Sequence, residues 1–299
     1  MARHALMPGK SPVIEPDRVA RVGGAELRFF DRGEGEPVLL IHGTSLCDSL
    51  AAPLRLHAPF YERHRVISYY RAGYGGSTFE GAGVSIADGA RHAVELLDHL
   101  GIDRAHVVAF SFGGVIGFEA ILKYPDRFAS AVLLEPYLPR ESQKAIDANI
   151  AAYMAAMELY QAGDKLGGGL RYMEAVCGPD FLSAVQMTEP VDVWERAARS
   201  ISTTFEVDFP AIVNWPFKPS QADAYAPGKT PVPVLACMGL QSEAAMPGFR
   251  ETQEFLMRWL PDVESAGIPG ATHGMQTMNP FAVGEAACDF IARHRIGGA

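Results

Sequence analysis

The chain has 299 residues, 48% of them hydrophobic, and its formal net charge is -9 at pH 7. This size and composition suffice for one large hydrophobic core with an inserted lobe. The acidic balance, without a basic run, argues against a nucleic-acid partner, so we expect a small-molecule ligand. Residues 1–18 lack an apolar signal core, and no apolar run is long enough to span a membrane. We therefore expect a cytoplasmic protein without membrane contact.

The first predicted elements are β-strands. Residues 19–22 and 26–31 are short runs separated by a turn, which favours an antiparallel hairpin. Residues 38–41 and 66–70 are continuous apolar runs, which are typical of buried parallel strands. The chain thus begins with a hairpin and continues into a parallel sheet.

Helices and strands then alternate. A capping-box pattern at Ser85 and Asp88 begins a helix whose apolar residues recur at helical spacing until Gly101. Strands follow at residues 105–108 and 129–135. Alternating strands and helices predict an α/β fold with a mostly parallel sheet covered on both faces.

The alternation stops for roughly 95 residues after this point, and such an insertion is a candidate lid. Within it, residues 147–161 and 191–204 are predicted helices, and the glycines at residues 167–169 are interpreted as a loop or hinge. Strands at residues 233–238 and 263–268 and a closing helix at residues 280–293 complete the chain.

The cysteines and histidines indicate neither a metal nor a cofactor. The cysteines are scattered, with no C-x-x-C pair, which favours reduced thiols over disulfides or a zinc site. The histidines form no H-x-x-x-H pattern, and no phosphate loop or dinucleotide fingerprint is present. We therefore expect no metal and no cofactor.

Ser111 stands in a pattern that predicts a nucleophile elbow. It follows an apolar run and precedes helix-like sequence, in the hexapeptide Ala109-Phe110-Ser111-Phe112-Gly113-Gly114. A sharp strand-to-helix turn requires small residues two positions before and two positions after the serine. The alternative is that the serine caps the N-terminus of a helix.

Other motifs follow in the order that one fold family uses. They are His42-Gly43 after an apolar run, Arg71-Ala72-Gly73-Tyr74-Gly75-Gly76-Ser77, Tyr124-Pro125-Asp126-Arg127-Phe128, and His273 near the C-terminus. With these motifs the chain resembles serine hydrolases of the α/β-hydrolase superfamily, esterases and lactonases with a helical lid, from about Val22 to about Arg293. The resemblance implies a mostly parallel eight-stranded sheet with helices on both faces, a core of residues 1–137 and 231–299, and a helical lid of residues 138–230.

The resemblance also implies roles for individual residues. Ser111 would be the nucleophile and His273 its general base, because a serine hydroxyl is a poor nucleophile without an adjacent base. The backbone N–H groups of Thr44 and Phe112 would form the oxyanion hole. His42 would brace the loop that carries Thr44.

The acid that orients the histidine has two candidates. The commonest family pattern has an Asp where this chain has Ser242, so the acid is either Glu135 or the neighbouring Glu243. Glu135 is favoured because it ends the strand after the elbow helix, where some lactonases and haloalkane dehalogenases carry their acid. The alternative is that Glu135 and Pro136 only shape the exit into the lid.

Large apolar residues suggest the kind of substrate. Met154, Trp194 and Trp215 of the lid, and Met275 after His273, are candidate pocket residues that would accept a hydrophobic acyl group. The alternative is that these side chains form the lid's own core.

A serine at the elbow indicates acyl transfer, whereas relatives that open epoxides or displace halide place an aspartate there. We expect hydrolysis of a carboxylic ester or lactone of a hydrophobic small molecule. Carbon–carbon bond hydrolysis or perhydrolysis on the same residues, and a ligand-binding member of the fold without turnover, are the alternatives.

Overall fold

The computed structural model describes residues 15–297, and most of the N-terminal stretch considered above, residues 1–14, lies outside them. Within the described residues the strands are β1 (Arg18–Val22), β2 (Ala25–Arg32), β3 (Glu36–Ile41), β4 (His64–Tyr69), β5 (Thr78–Phe79), β6 (Ala105–Phe110), β7 (Phe128–Leu134), β8 (Val234–Gly239) and β9 (Val263–Ile268).

These strands form one open sheet in the order β1-β2-β4-β3-β6-β7-β8-β9, with the short β5 paired to β2. β2 is antiparallel to β1 and to β4, whereas the pairs from β4 through β3 to β9 are parallel. The eight strands of the continuous path confirm the predicted sheet, and β5 is an addition to it. Parallel neighbours need long crossovers, which the helices supply.

The helices are α1 (Ala51–Leu54), α2 (Ala58–Arg63), α3 (Ile86–His99), α4 (Ser111–Lys123), α5 (Gln143–Gln161), α6 (Lys165–Cys177), α7 (Phe181–Thr188), α8 (Val193–Thr203), α9 (Phe209–Asn214), α10 (Ala222–Tyr225), α11 (Ser242–Ala245), α12 (Gly248–Trp259), α13 (Met275–Met278) and α14 (Pro280–Arg293). Short 3₁₀ turns lie at Pro125–Arg127 and Pro219–Gln221, and a π-helical turn at Thr204–Asp208 joins α8 to α9.

Local sequence sets the ends of α3 as predicted. The Ser85 hydroxyl accepts a hydrogen bond from the Asp88 N–H at 3.1 Å, and the Asp88 carboxylate accepts one from the Ser85 N–H at 3.2 Å. Gly101 beyond the C-terminus has φ +65°, a conformation that glycine adopts at little cost. The predicted capping box is therefore confirmed.

The sheet is buried on both faces. Along β3, Leu39 and Ile41 belong to the hydrophobic cluster under α3 and α4, while Val38 and Leu40 belong to the cluster under α14. All four side chains are fully buried. Burial of alternate residues on opposite faces explains why these strands read as continuous apolar runs.

Residues 138–230, here called the helical insertion, connect β7 to β8 and contain α5 to α10. Its helices share a hydrophobic cluster that includes Ala156, Tyr172 and Ile201. No helix of the described residues has the length and apolarity needed to cross a membrane.

The glycines at residues 167–169 lie inside α6, so their interpretation as a loop or hinge was wrong. A Cβ atom on Gly168 would lie 2.7 Å from the backbone oxygen of Ala156, and one on Gly169 would lie 2.2 Å from Ile201 Cδ1. These glycines allow neighbouring helices to pack closely, at the expense of helix propensity.

Candidate active site

Ser111 lies at the sharp turn between β6 and α4. Its φ is +54°, which is uncommon for a residue with a side chain and is held here by close packing. A Cβ atom on Gly113 would lie 2.3 Å from the carbonyl oxygens of both Ile41 and His42, so only glycine fits. Phe110 occupies the N-cap position and Ser111 is the first residue of α4. Ser111 is thus not a helix cap, and the turn has the geometry of a nucleophile elbow.

Three side chains from distant parts of the sequence meet at this turn. His273 Nε2 lies 2.8 Å from Ser111 Oγ, and His273 Nδ1 lies 2.8 Å from Glu135 Oε2. All three residues are buried. Because a carboxylate accepts hydrogen bonds, His273 Nδ1–H donates to Glu135, which leaves Nε2 free to accept the Ser111 hydroxyl proton. This arrangement can activate the serine.

The structure brings Glu135, rather than Glu243, to the histidine. Glu135 follows β7 with φ +40°, and its Oε1 accepts a hydrogen bond from the Gly239 N–H at 2.9 Å. Glu243 lies on the surface in α11, where Arg250 Nε contacts it at 2.9 Å. Ser242, at the position of the commoner acid, is buried, and its hydroxyl has no hydrogen-bond partner among the described residues.

The surroundings of His273 favour its neutral form. Burial lowers the pKa of His273 below its usual value of 6.5, although the hydrogen bond and charge of Glu135 act in the opposite direction. The ring of Phe249 stacks on the imidazole with centroids 4.0 Å apart, and the Phe110 ring lies 4.8 Å away. A neutral, fixed imidazole is the form that a general base requires.

Thr44 and Phe112 lie beside Ser111, as expected for oxyanion donors. Both line the cavity that contains Ser111 and His273. A Cβ atom on Gly43 would lie 3.2 Å from Ser111 Cβ, so the loop after β3 passes close to the serine. Phe112 is in the first turn of α4, where backbone N–H groups lack helical partners.

Buried hydrogen bonds hold the loop after β3. Arg71 N donates to His42 Nε2 at 2.9 Å, so the His42 proton is on Nδ1, which donates to Gly43 O at 2.7 Å. Arg71 Nη2 donates to the same Gly43 oxygen at 3.0 Å. Burial, together with the charge of Arg71, lowers the pKa of His42 well below 6.5. His42 is therefore neutral and braces this loop, as expected.

Asp208 is a site residue that the sequence analysis missed. It ends the π-helical turn of the helical insertion, lines the cavity and forms a two-bond ion pair with Arg71, with distances of 2.9 and 2.7 Å. The Thr44 hydroxyl donates to Asp208 Oδ2 at 2.8 Å. No local sequence motif marks Asp208, because its partner Arg71 is 137 positions away in the chain, and the π-helical turn, a feature frequent at functional sites, is visible only in the structure.

The cavity over Ser111 is almost entirely apolar. Its empty space, mouth included, is about 580 Å³. The helical insertion supplies about half of the wall, from α6, the start of α7, the π-helical turn and α9. The lining residues of the insertion are Tyr172, Met173, Val176, Cys177, Phe181, Asp208, Phe209 and Ile212. Such a cavity can hold a hydrophobic group next to the serine.

Two of the four candidate pocket residues, Met154 and Trp194, lie elsewhere in the helical insertion. Met154 is 60% exposed on α5, because the buried face of that helix carries Ala152 and Ala156 instead. Trp194 packs at the edge of the insertion's own hydrophobic cluster.

Trp215 and Met275 are core residues rather than part of the cavity wall. The Trp215 ring stacks on Phe217 with centroids 4.6 Å apart, in the cluster under α3 and α4. Met275 is fully buried in the cluster on the other face of the sheet. Residue type alone predicted large apolar side chains but could not say which of them face the serine.

All four cysteines are free and buried. Burial raises the pKa of Cys177, which lines the cavity, and of Cys47, which follows the loop after β3. Neither thiol is therefore ionised near neutral pH, and neither has the character of a reactive cysteine. Among residues 15–297 no group of three potential metal-ligating side chains is present.

Comparisons with known proteins agree with this architecture. The family model of the alpha/beta hydrolase fold matches residues 36–165. Over 122 positions the chain is 32% identical to 2-hydroxy-6-oxo-2,4-heptadienoate hydrolase of Pseudomonas putida. This alignment covers 40% of this chain and 44% of that protein. Over 125 positions the chain is 33% identical to the hydrolase YcgS of Bacillus subtilis, and the alignment covers 40% of this chain and 43% of that protein. The chain thus spans less than half the length of the curated relatives it matches.

Solved structures match over nearly the whole chain. The enol-lactonase of Burkholderia xenovorans LB400 aligns with a TM-score of 0.69 at 19% identity, covering 92% of this chain and 100% of that one. A thermophilic esterase of Thermogutta terrifontis aligns with a TM-score of 0.66 at 21% identity, and the alignment covers 93% of this chain and 100% of that one. Matches at such low identity establish the fold. Together with the family-model match over residues 36–165, they show that this chain has the alpha/beta hydrolase fold.

Proposed function

We propose that the protein is a serine hydrolase that cleaves a carboxylic ester or lactone of a hydrophobic small molecule through an acyl-enzyme on Ser111. The observation that carries this proposal is the continuous hydrogen-bonded chain from Ser111 through His273 to Glu135, with both distances 2.8 Å. Acyl transfer needs a nucleophile, a base and an orienting acid in this order.

The first half of the reaction forms the acyl-enzyme. Ser111 Oγ attacks the substrate carbonyl carbon while His273 Nε2 accepts the hydroxyl proton. The N–H groups of Thr44 and Phe112 bind the negative oxygen that develops on the carbonyl. As the tetrahedral intermediate collapses, His273 returns the proton to the departing alkoxide, and the alcohol leaves.

The second half releases the acid. Water attacks the acyl-enzyme carbonyl carbon, His273 takes a proton from that water, and the same two N–H groups bind the oxyanion again. Collapse returns the proton to Ser111 and frees the carboxylic acid. Glu135 stabilises the positive imidazolium in both halves and, held by the Gly239 N–H, keeps the ring oriented.

The cavity supports a neutral, hydrophobic substrate. Of the described residues that line it, Asp208 alone is a carboxylate, and Arg71 neutralises it. We infer that residues 138–230 act as a lid over a core of residues 1–137 and 231–299, since the insertion supplies about half of the cavity wall. Four buried free thiols support a reducing compartment such as the cytoplasm.

Hydrolysis of a carbon–carbon bond is the second candidate. It is favoured by the sequence match to 2-hydroxy-6-oxo-2,4-heptadienoate hydrolase. The two reactions differ in their products, because ester hydrolysis releases an alcohol, whereas carbon–carbon cleavage of a diketone releases a second carbonyl-containing fragment.

The experiment measures initial rates of hydrolysis of neutral esters and lactones of increasing acyl size. A vinylogous diketone is measured in parallel as the substrate for carbon–carbon bond cleavage. We expect turnover of esters or lactones that disappears in Ser111→Ala. Glu135→Gln should lower kcat by about 10³–10⁴-fold, because an unbalanced imidazolium is costly in a buried site.

Glu243→Gln is the matched control, since Glu243 is an exposed carboxylate paired only with Arg250 among the described residues. It should retain full kcat. A larger loss in Glu243→Gln than in Glu135→Gln would overturn the assignment of the acid, and turnover of the diketone alone would favour the second candidate.

A further inference from the structure

The Gly43–Thr44 peptide carries one of the two proposed oxyanion donors, and its carbonyl oxygen is hydrogen-bonded within a buried polar cluster. Gly43 O accepts two hydrogen bonds, from His42 Nδ1 at 2.7 Å and from Arg71 Nη2 at 3.0 Å. In a planar trans peptide the N–H points opposite to the C=O. Fixing Gly43 O therefore also fixes the direction of the Thr44 N–H.

The donors at Gly43 O also affect the strength of that N–H. A hydrogen bond to the carbonyl oxygen polarises the peptide unit, and a charged donor does so more than a neutral one. Arg71 is such a donor, with a second bond from its Nε to His42 O at 3.1 Å. Its side chain is 6% exposed, so water screens little of this effect.

Arg71 is held in place by the helical insertion. Asp208 accepts from Arg71 Nη1 at 2.9 Å and from Nη2 at 2.7 Å, the two-bond geometry that fixes a guanidinium plane. Burial alone would lower the pKa of Arg71, but the Asp208 carboxylate raises it above its ordinary value. The charge of the buried Arg71 guanidinium is thus paired with the Asp208 carboxylate.

Asp208 has further contacts with the same region. Its Oδ2 accepts hydrogen bonds from the Thr44 hydroxyl at 2.8 Å and from the Tyr74 hydroxyl at 2.7 Å. One carboxylate of the insertion therefore contacts the side chain of the donor residue directly and its peptide group through Arg71. Within the described residues Asp208 is not hydrogen-bonded to Ser111, His273 or Glu135, so we place its effect on the oxyanion side of the site.

We propose that Asp208 is a positioning residue by which the helical insertion, through Arg71 and the Thr44 hydroxyl, orients and polarises the Gly43–Thr44 peptide for oxyanion binding. This inference rests on the proposed function. It assigns the insertion a part in transition-state stabilisation in addition to covering the substrate.

The test is a comparison of kcat and KM for Asp208→Asn, which keeps the shape of the side chain and removes its charge. Measured on any ester that the wild-type protein hydrolyses, kcat should fall about 10- to 100-fold, less than for complete removal of an oxyanion donor. KM should stay within about threefold, because the lost interaction is stronger in the transition state than in the ground state.

Arg196→Gln is the matched control. Arg196 also forms a buried ion pair between the insertion and the core, with Asp48 at 2.8 Å, and within the described residues it is not hydrogen-bonded to Gly43 or Thr44. It should lower Tm as Asp208→Asn does, with kcat within about twofold of wild type. Equal effects of the two variants on kcat would overturn the proposal.

The double variant Arg71→Met with Asp208→Leu keeps the test decisive if Asp208→Asn folds poorly. It removes both charges together, so no buried charge is left unpaired. Tm should therefore rise from the lowered value of Asp208→Asn toward that of the wild-type protein. kcat should remain low, because Gly43 O has lost its charged donor. Recovery of kcat together with Tm would show that the pair serves stability alone and would overturn the proposal.

The two proposals fail in different ways. If the wild-type protein hydrolyses no ester or lactone, the proposed function fails and this inference fails with it. If the wild-type protein is active and Ser111→Ala is not, but Asp208→Asn keeps normal kcat, only this inference fails.

Discussion

At the scale of single residues, the site depends on side chains whose buried state is supported by specific partners. Ser111 and Glu135 both have positive φ, at +54° and +40°, and both lie directly after buried parallel strands. Such strain persists only where surrounding packing fixes the backbone. The close fit of Gly113 against Ile41 and His42 shows how tightly that packing is set at the serine.

The protonation of His273 gives a prediction for pH dependence. Burial lowers its pKa below 6.5 in the folded protein, despite the opposing effect of Glu135. A general base works when it is neutral, so kcat/KM should be constant near neutral pH. It should fall as the pH decreases through the folded-state pKa, with a midpoint below 6.5.

Stability must be measured beside the rates in this experiment. A histidine that resists protonation when folded destabilises the folded state as the pH falls below its unfolded pKa of about 6.5. Tm across the same pH range separates unfolding from titration of the base. An acidic limb centred above 6.5 in fully folded protein would contradict the buried, neutral state of His273.

At the scale of secondary-structure elements, the sheet could be predicted from sequence more fully than the helical insertion. Strand β7 is a continuous apolar run, and strand β9 is a short run bounded by turn residues, so both could be recognised in the sequence. The closing helix has the predicted limits of residues 280–293. Two predictions for the insertion were wrong in detail. The three glycines that predict a loop or hinge lie inside α6, and the helix predicted to end at residue 204 continues through the π-helical turn into α9.

The candidate site likewise has residues that could be predicted from the sequence and residues that could not. Local motifs indicated Ser111 and the loop after β3, because an elbow imposes requirements on neighbouring residues in the sequence. Asp208 could not be found this way, since 137 positions separate it from Arg71. The choice between Glu135 and Glu243 likewise required the tertiary structure, which places one beside His273 and the other on the surface.

The packing of α6 gives a prediction about stability. Gly168→Ala adds a methyl group 2.7 Å from the Ala156 backbone oxygen, and backbone cannot yield as a flexible side chain can. In a free helix this change would stabilise by about 1 kcal/mol. Here we expect a loss of about 1–3 kcal/mol in the free energy of unfolding, as for other overpacked sites.

Gly228→Ala serves as the control for that measurement. No neighbouring atom lies within 4 Å of a Cβ atom built on Gly228, and its backbone is outside the left-handed region. Its unfolding free energy should change by less than about 0.5 kcal/mol. If urea unfolding gave Gly168→Ala a stability equal to or above wild type, the close helix contact in the insertion would be wrong.

At the scale of the whole molecule, the site lies where the carboxyl ends of the parallel strands meet. Ser111 follows β6, Glu135 follows β7, and His273 follows β9, while the loops after β3 and β4 carry Thr44 and Arg71. Ligand sites of open α/β sheets form at this edge. The helical insertion lines part of the cavity at the same edge, and among the described residues the buried ion pairs Arg71–Asp208 and Arg196–Asp48 join it to the core.

The central claim is that Ser111 is an activated nucleophile, and the intact mass of the protein after treatment with a fluorophosphonate tests it most directly. Wild-type protein should gain the mass of one phosphonyl group, located on the peptide that contains Ser111. Ser111→Ala should gain none, while Ser183→Ala, which removes an exposed hydroxyl from α7, should be labelled like wild type. Folded wild-type protein that gains no mass, or Ser111→Ala labelled as fully as wild type, would contradict the claim.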